Sequence, residues 1–204
     1  MSLLCKIDNA EFGHDAGDMK QVLSFQISNN DCVAVNGVSG SGKSTILNTI
    51  AGLCPIRSGT LTTDYRRLGY AFQDNRLLPW RTTEENILLG CQVRDTDPAA
   101  LRERLDSLLD YLDLEQARSN LPHELSGGMQ QRANLARALI GKPDLLLLDE
   151  VLTAQDSRMA RLMADLILLE QSQWGFAIMQ VAHSPSHVIS QVSLHLQLSH
   201  DPCS

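Results

Sequence analysis

The stretch Asp31-Cys32-Val33-Ala34-Val35-Asn36-Gly37-Val38-Ser39-Gly40-Ser41-Gly42-Lys43-Ser44-Thr45, followed by the helix-like Ile46 to Leu53, decides the fold. An apolar strand runs into a loop of the form GxxxxGK[ST] and then into a helix. Glycines let the backbone N–H groups of such a loop curl around phosphates at a helix N-terminus. Gly37, Ser39, Gly40, Ser41, Gly42, Lys43, Ser44 and Thr45 are therefore the expected nucleotide-binding residues. Lys43 is expected to meet the β and γ phosphates. The Ser44 hydroxyl is expected on a Mg²⁺ ion that keeps most of its octahedral shell as water and phosphate oxygen.

Two further stretches supply what a phosphate loop needs. The apolar run Leu145 to Leu148 ends in Asp149-Glu150, at the strand end where an open α/β sheet presents ligand-binding groups. Asp149 is placed to hold a metal-bound water and Glu150 to polarise an attacking one. Leu125-Ser126-Gly127-Gly128-Met129-Gln130-Gln131-Arg132 opens another helix with a hydroxyl and two glycines, a second anion site. One phosphate loop already serves one nucleotide. A second such helix start makes sense if Ser126, Gly127 and Gly128 face the γ-phosphate of a nucleotide held by another subunit, so a homodimer is expected.

The rest of the chain alternates. Leu3 to Ile7 and Val22 to Ile27 read as an antiparallel β edge around the turn-rich Gly13 to Asp18, with further strands at Gly59 to Thr63 and Leu68 to Phe72. In the segment Pro98 to Leu112, Leu101, Leu105, Leu108, Leu109 and Leu112 form one face of an amphipathic helix, which core packing explains. Helices from Gly128 to Ile140 and Ser157 to Gln171, and strands Phe176 to Val181 and Leu194 to Leu198, complete the pattern. The expected class is α/β: a P-loop NTPase with a mostly parallel core sheet, an antiparallel β subdomain and a helical subdomain over about 76–142, all in one domain spanning 1–204.

Composition narrows the function. With 43% hydrophobic residues in 204, a core can form without staples. The balance of 17 basic against 24 acidic residues, net −7, argues against a general affinity for nucleic acid or an anionic membrane surface. The scattered Cys5, Cys32, Cys54, Cys91 and Cys203 suggest neither a disulfide framework nor a zinc site. No run of about 18 apolar residues occurs, so no membrane crossing and no export are expected.

In their order and spacing these motifs resemble those of the nucleotide-binding subunits of ABC transporters, over nearly the whole chain. Gly37 to Thr45 is similar to the Walker A loop, Asp149-Glu150 to the Walker B end, and Leu125 to Gln130 to the LSGGQ-type signature. The resemblance implies that Gln73, in Ala71-Phe72-Gln73-Asp74, is the Q-loop glutamine, contacting Mg²⁺ or the attacking water and sensing the membrane partner. It makes His183 the switch histidine that steadies the γ-phosphate, and Phe12 the aromatic that stacks on adenine. For Phe12 a core aromatic at a strand end is the other reading. Catalysis thus falls to Glu150, His183, Gln73 and Lys43, with Ser44, Gln73 and Asp149 around the metal.

Phe72 to Arg81, then Glu85-Asn86-Ile87-Leu88-Leu89-Gly90, resembles the pattern of importers for nitrate, taurine and aliphatic sulfonates. That implies a permease partner docking through the Gln73 to Trp80 region, a separate substrate-binding protein, and a place on the cytoplasmic side of the membrane. Trp80 buried in the chain's own core is the alternative. The sequence departs from the family at Met129, at Val151 and Gln155 where proline and leucine are usual, and at Ser184 where aspartate is usual. Other classes weighed are a non-transport ABC clamp on nucleic acid, which basic arms or tandem cassettes would mark, and a regulatory module that holds ATP without useful hydrolysis, suggested by the altered 151–155 loop.

Overall fold

The computed structural model describes residues 2–12, 21–91, 97–153, 155–182, 189 and 192–198. Its centre is a five-stranded sheet in which every neighbouring pair is parallel. The strands are β3 (Cys32–Gly37), β5 (Leu68–Ala71), β6 (Leu145–Asp149), β7 (Ala177–Val181) and β8 (Leu194–Leu198), in the order β5-β6-β7-β3-β8. A second, antiparallel sheet joins β1 (Leu3–Phe12) to β2 (Gln21–Ser28) on one side and β4 (Ser58–Thr63) on the other.

The leucine run in β6 follows from its place between two layers. Successive side chains of a strand point to opposite faces. Leu145 and Leu147 enter one core, with α1 (Lys43–Ile50) and the antiparallel sheet, while Leu146 and Leu148 enter the other, among the remaining helices. Those helices are α2 (Thr83–Leu88), α3 (Pro98–Tyr111), α4 (Gly127–Ile140) and α5 (Ser157–Trp174). The periodic leucines of α3 behave as expected: Leu105, Leu108, Leu109 and Leu112 are buried and Leu101 packs against them. Among the described residues no helix is long and apolar enough to cross a membrane.

Phe12 is a core residue in this structure. Cys5 and Ile7 set an inward alternation that would turn Glu11 in and Phe12 out. The register of β1 shifts between Ile7 and Ala10 on β2 and between Asp8 and Glu11 on β4, with Asn9 at φ 46. A bulge of this kind flips the alternation. Ala10 and Phe12 therefore face inward, and the Phe12 ring, 2% exposed, lies in the core shared with Ile46, Leu47 and Ile50 rather than offering a face to adenine. Trp80 goes the other way: it is 71% exposed and not part of the core.

Candidate functional site

The phosphate loop joins β3 to α1, and its glycines do what the spacing asks of them. Gly40 and Gly42 hold φ of 79 and 85, left-handed backbone that side chains resist, and a Cβ at either would meet only open space. Gly42 caps α1 with no side-chain bond, leaving the first N–H groups of the helix to a ligand. Lys43 is buried, its Nζ donating to the carbonyls of Gly37 at 3.0 Å and Val38 at 2.9 Å. The Ser41 hydroxyl is fully buried with no hydrogen-bond partner. A loop with open N–H groups, an orphaned hydroxyl and an ammonium that, among the described residues, is held by two carbonyls fits a polyphosphate.

The metal-binding candidates converge from different elements. Ser44 Oγ donates to Asp149 Oδ1 at 3.1 Å. Asp149 is 4% exposed, and burial pushes its carboxyl up. The Ser44 hydrogen bond works against this, as do the charges of Lys43 and Arg76, while Glu150 reinforces it. A buried carboxylate beside a hydroxyl, raised by desolvation, is a donor set suited to a hard divalent cation such as Mg²⁺.

Glu150 follows in a turn with φ 55, its N–H donating to Val181 O at 3.2 Å and its carbonyl accepting from the N–H and hydroxyl of Thr153. A non-glycine residue held at positive φ is a strained feature that the surroundings must fix. Gln73 Nε2 donates to Glu150 Oε2 at 3.4 Å, so the two groups expected to handle water meet. His183 lies outside the described residues.

Ser126 caps α4, accepting from Met129 N at 3.2 Å, and a Cβ on Gly127 would meet nothing within 4 Å. The two candidate anion sites sit on different layers. α1 packs on β1, β3, β6 and β7, whereas α4 packs on α2, α3 and β5.

Two sets of functional contacts escaped the motif reading. Along α4, Asn134 donates to Phe72 O at 2.7 Å, Arg137 donates to Asn75 O at 2.7 Å and Arg76 O at 2.9 Å, and Gln130 accepts from Asn75 Nδ2. The segment carrying Gln73 is thereby clamped to the helix that Ser126 opens. Gln130, Asn134 and Arg137 fall four and three apart, a polar stripe on one helix face that spacing alone could have flagged. The second is Asn86, which is fully buried and donates from Nδ2 to the carbonyls of Leu78, Arg81 and Thr82 while its Oδ1 accepts from Leu78 N. It holds the loop that presents Trp80.

Residues 20–153 match the family model described as ABC transporter. The taurine import ATP-binding protein TauB of Rhizobium johnstonii is 35% identical over 182 residues, covering 86% of this chain and 69% of that protein. The aliphatic sulfonates import ATP-binding protein SsuB of Corynebacterium glutamicum is 37% identical over 173 residues, 85% of this chain and 71% of that protein. Relatives named for import of Fe(3+) ions and of spermidine/putrescine also match, at 31% over 200 residues, and the chain spans 54% and 53% of their lengths. Among solved structures, the dimeric post-hydrolysis state of the ATP-binding cassette MJ0796 bound to ADP and Pi superposes with a TM-score of 0.80 at 27% identity, covering 91% of this chain and 90% of that one.

Proposed function

The chain belongs to the ABC transporter family of ATP-binding subunits, and we propose that two copies close on two ATP molecules to drive a permease in a small-anion import system. The observation that carries this is the pair of anion-facing helix starts on separate layers, one at Gly42-Lys43 and one at Ser126-Gly127. Each nucleotide would be held by Lys43 and Ser44 of one copy and by Ser126, Gly127 and Gly128 of the other.

ATP hydrolysis is the family's reaction: water attacks the γ-phosphorus in line and the bond to the bridging oxygen breaks, leaving ADP and phosphate. Mg²⁺, when bound, would neutralise charge on the phosphates, and Ser44, Asp149 and Gln73 would hold it. Lys43 would leave its two carbonyls for the phosphate oxygens. Glu150 would orient the water, with Gln73 beside it fixing the carboxylate. His183 takes its role at the γ-phosphate from the family resemblance. Closure of the two copies would move the permease, and product charge repulsion would reopen them.

Import and anion choice rest on likeness to relatives named for taurine and aliphatic sulfonates and on the Leu77 to Trp80 loop with its exposed Trp80, where a permease would dock. A sulfonate-type anion, delivered by a separate substrate-binding protein, is the first choice. The permease would hold the chain, which shows no membrane-crossing helix among its described residues, at the inner side of the membrane.

ATPase turnover of Glu150→Gln tests the core of this reading. Turnover should fall by about 100-fold or more while ATP-dependent dimers persist. Normal turnover of the variant would remove Glu150 from its role, whereas absent turnover in the unsubstituted protein would favour a module that only holds ATP.

A further inference from the structure

Resting on that two-nucleotide reading, we infer that Gln155 is a positioning residue which sets the start of the signature helix in its own chain, and so the grip on the nucleotide held by the partner copy. Gln155 Nε2 donates to Gly128 O at 3.1 Å, and a Cβ built on Gly128 would lie 3.2 Å from Gln155 Oε1. The amide thus lies against the backbone of the first turn of α4, two residues beyond Ser126. The family pattern carries leucine at this place, which can neither donate nor accept.

Both ends of the segment that bears Gln155 are fixed. On one side Thr153 folds back onto the Glu150 carbonyl through its N–H and its hydroxyl. On the other Asp156 caps α5, accepting from Met159 N at 2.9 Å. An anchored backbone lets a single side-chain bond transmit position rather than swing freely. Glu150 serves the nucleotide on its own chain, whereas Ser126, Gly127 and Gly128 serve the partner's. The link from Glu150 through Gln155 to Gly128 therefore joins the two ATP sites inside one chain, at a point where the usual leucine could join nothing by hydrogen bonding.

The test is a comparison of ATP dependence in wild type, Gln155→Leu and Gln155→Glu, the last keeping the length but losing the donor. Both variants should raise the half-saturating ATP concentration about fivefold, the size of effect one neutral hydrogen bond supports, with kcat within about twofold. In a Glu150→Gln background, the ATP concentration that brings the two copies together should rise by the same factor, and amide hydrogen exchange over residues 126–131 should quicken in the separate subunit. Half-saturation, dimerisation and exchange all unchanged in both variants would overturn the inference while leaving the two-nucleotide motor intact. No ATP-dependent dimer of Glu150→Gln itself would overturn the motor, and this role with it.

Discussion

Ser44 Oγ and Asp149 Oδ1 lie 3.1 Å apart across 105 positions of sequence, joining the first turn of α1 to the end of β6. The proposed function gives both groups to one cation, and burial of Asp149 carries an energetic cost of its own. Because the folded carboxyl titrates above its ordinary value, the native state binds more protons than the unfolded one in the window between the two values. Stability therefore falls as pH rises through that window, and the penalty is full above it. Asp149→Asn should leave ligand-free protein at least as resistant to thermal unfolding at neutral pH. The advantage should shrink on acidification through the carboxylate range, while Mg²⁺-dependent ATPase falls by about 100-fold. Thermal melts against pH, beside turnover assays, check both halves.

Trp80 is 71% exposed at the tip of a loop that Asn86 holds from inside. Its indole makes little contribution to the fold, so Trp80→Ala should change stability by less than about 0.5 kcal/mol. Asn86→Ala should cost about 2–4 kcal/mol, because it strands buried carbonyls. Both should reduce co-purification of the chain with its permease, one by removing the anchor and the other by loosening its support. A permease complex that survives Trp80→Ala would move the docking surface elsewhere.

Much of the site was legible because phosphate chemistry fixes residue types at fixed spacings: a strand, glycines, Lys43 and Ser44, then a second strand ending in Asp149 and Glu150. The fold was legible in the same way, since four leucines in a row at Leu145 to Leu148, ending in Asp149 and Glu150, suit a strand buried on both faces. Of the two readings of Phe12 the structure has the core aromatic, because a bulge at Asp8 and Asn9 reverses inside and outside; its trace in the sequence is the adjacent polar pair that shifts the apolar positions from Cys5 and Ile7 to Ala10 and Phe12. The division of labour in 77–90 was not legible. That stretch reads as one partner-facing motif, yet Asn86 and Ile87 are wholly internal while Trp80 and Leu89 are exposed. Side-chain clamps such as Asn134 on Phe72 depend on tertiary approach, which spacing along one helix can suggest but not direct.

Gly90 shows how a motif residue can be a packing residue. A Cβ there would lie 1.8 Å from the carbonyl oxygen of Arg137, on the helix that clamps the Gln73 segment. No rotamer relieves a clash with backbone, so α2 and α4 would have to separate. Gly90→Ala should destabilise the chain by about 1–3 kcal/mol in denaturant unfolding. An unchanged unfolding midpoint would show that the two helices can part at no cost.

Asp144 ties the start of β6 to the turn before β5. Its Oδ2 accepts from the N–H groups of Arg66 at 2.8 Å and Arg67 at 2.9 Å, and its Oδ1 from the Arg67 guanidinium at 3.2 Å. Burial pushes this carboxyl up, but the backbone N–H groups and the guanidinium outweigh it and hold the carboxyl below its usual range. The sign is opposite to that of Asp149. A depressed folded value adds stability that is complete above the unfolded value and is lost as pH falls through the folded one. Asp144→Ala should therefore destabilise the protein by about 1–3 kcal/mol at neutral pH. The gap from wild type should narrow steadily as the solution is acidified through the carboxylate range. Urea unfolding of both proteins across that range measures it, and a gap independent of pH would mean that Asp144 acts by filling space rather than by accepting these bonds as an anion.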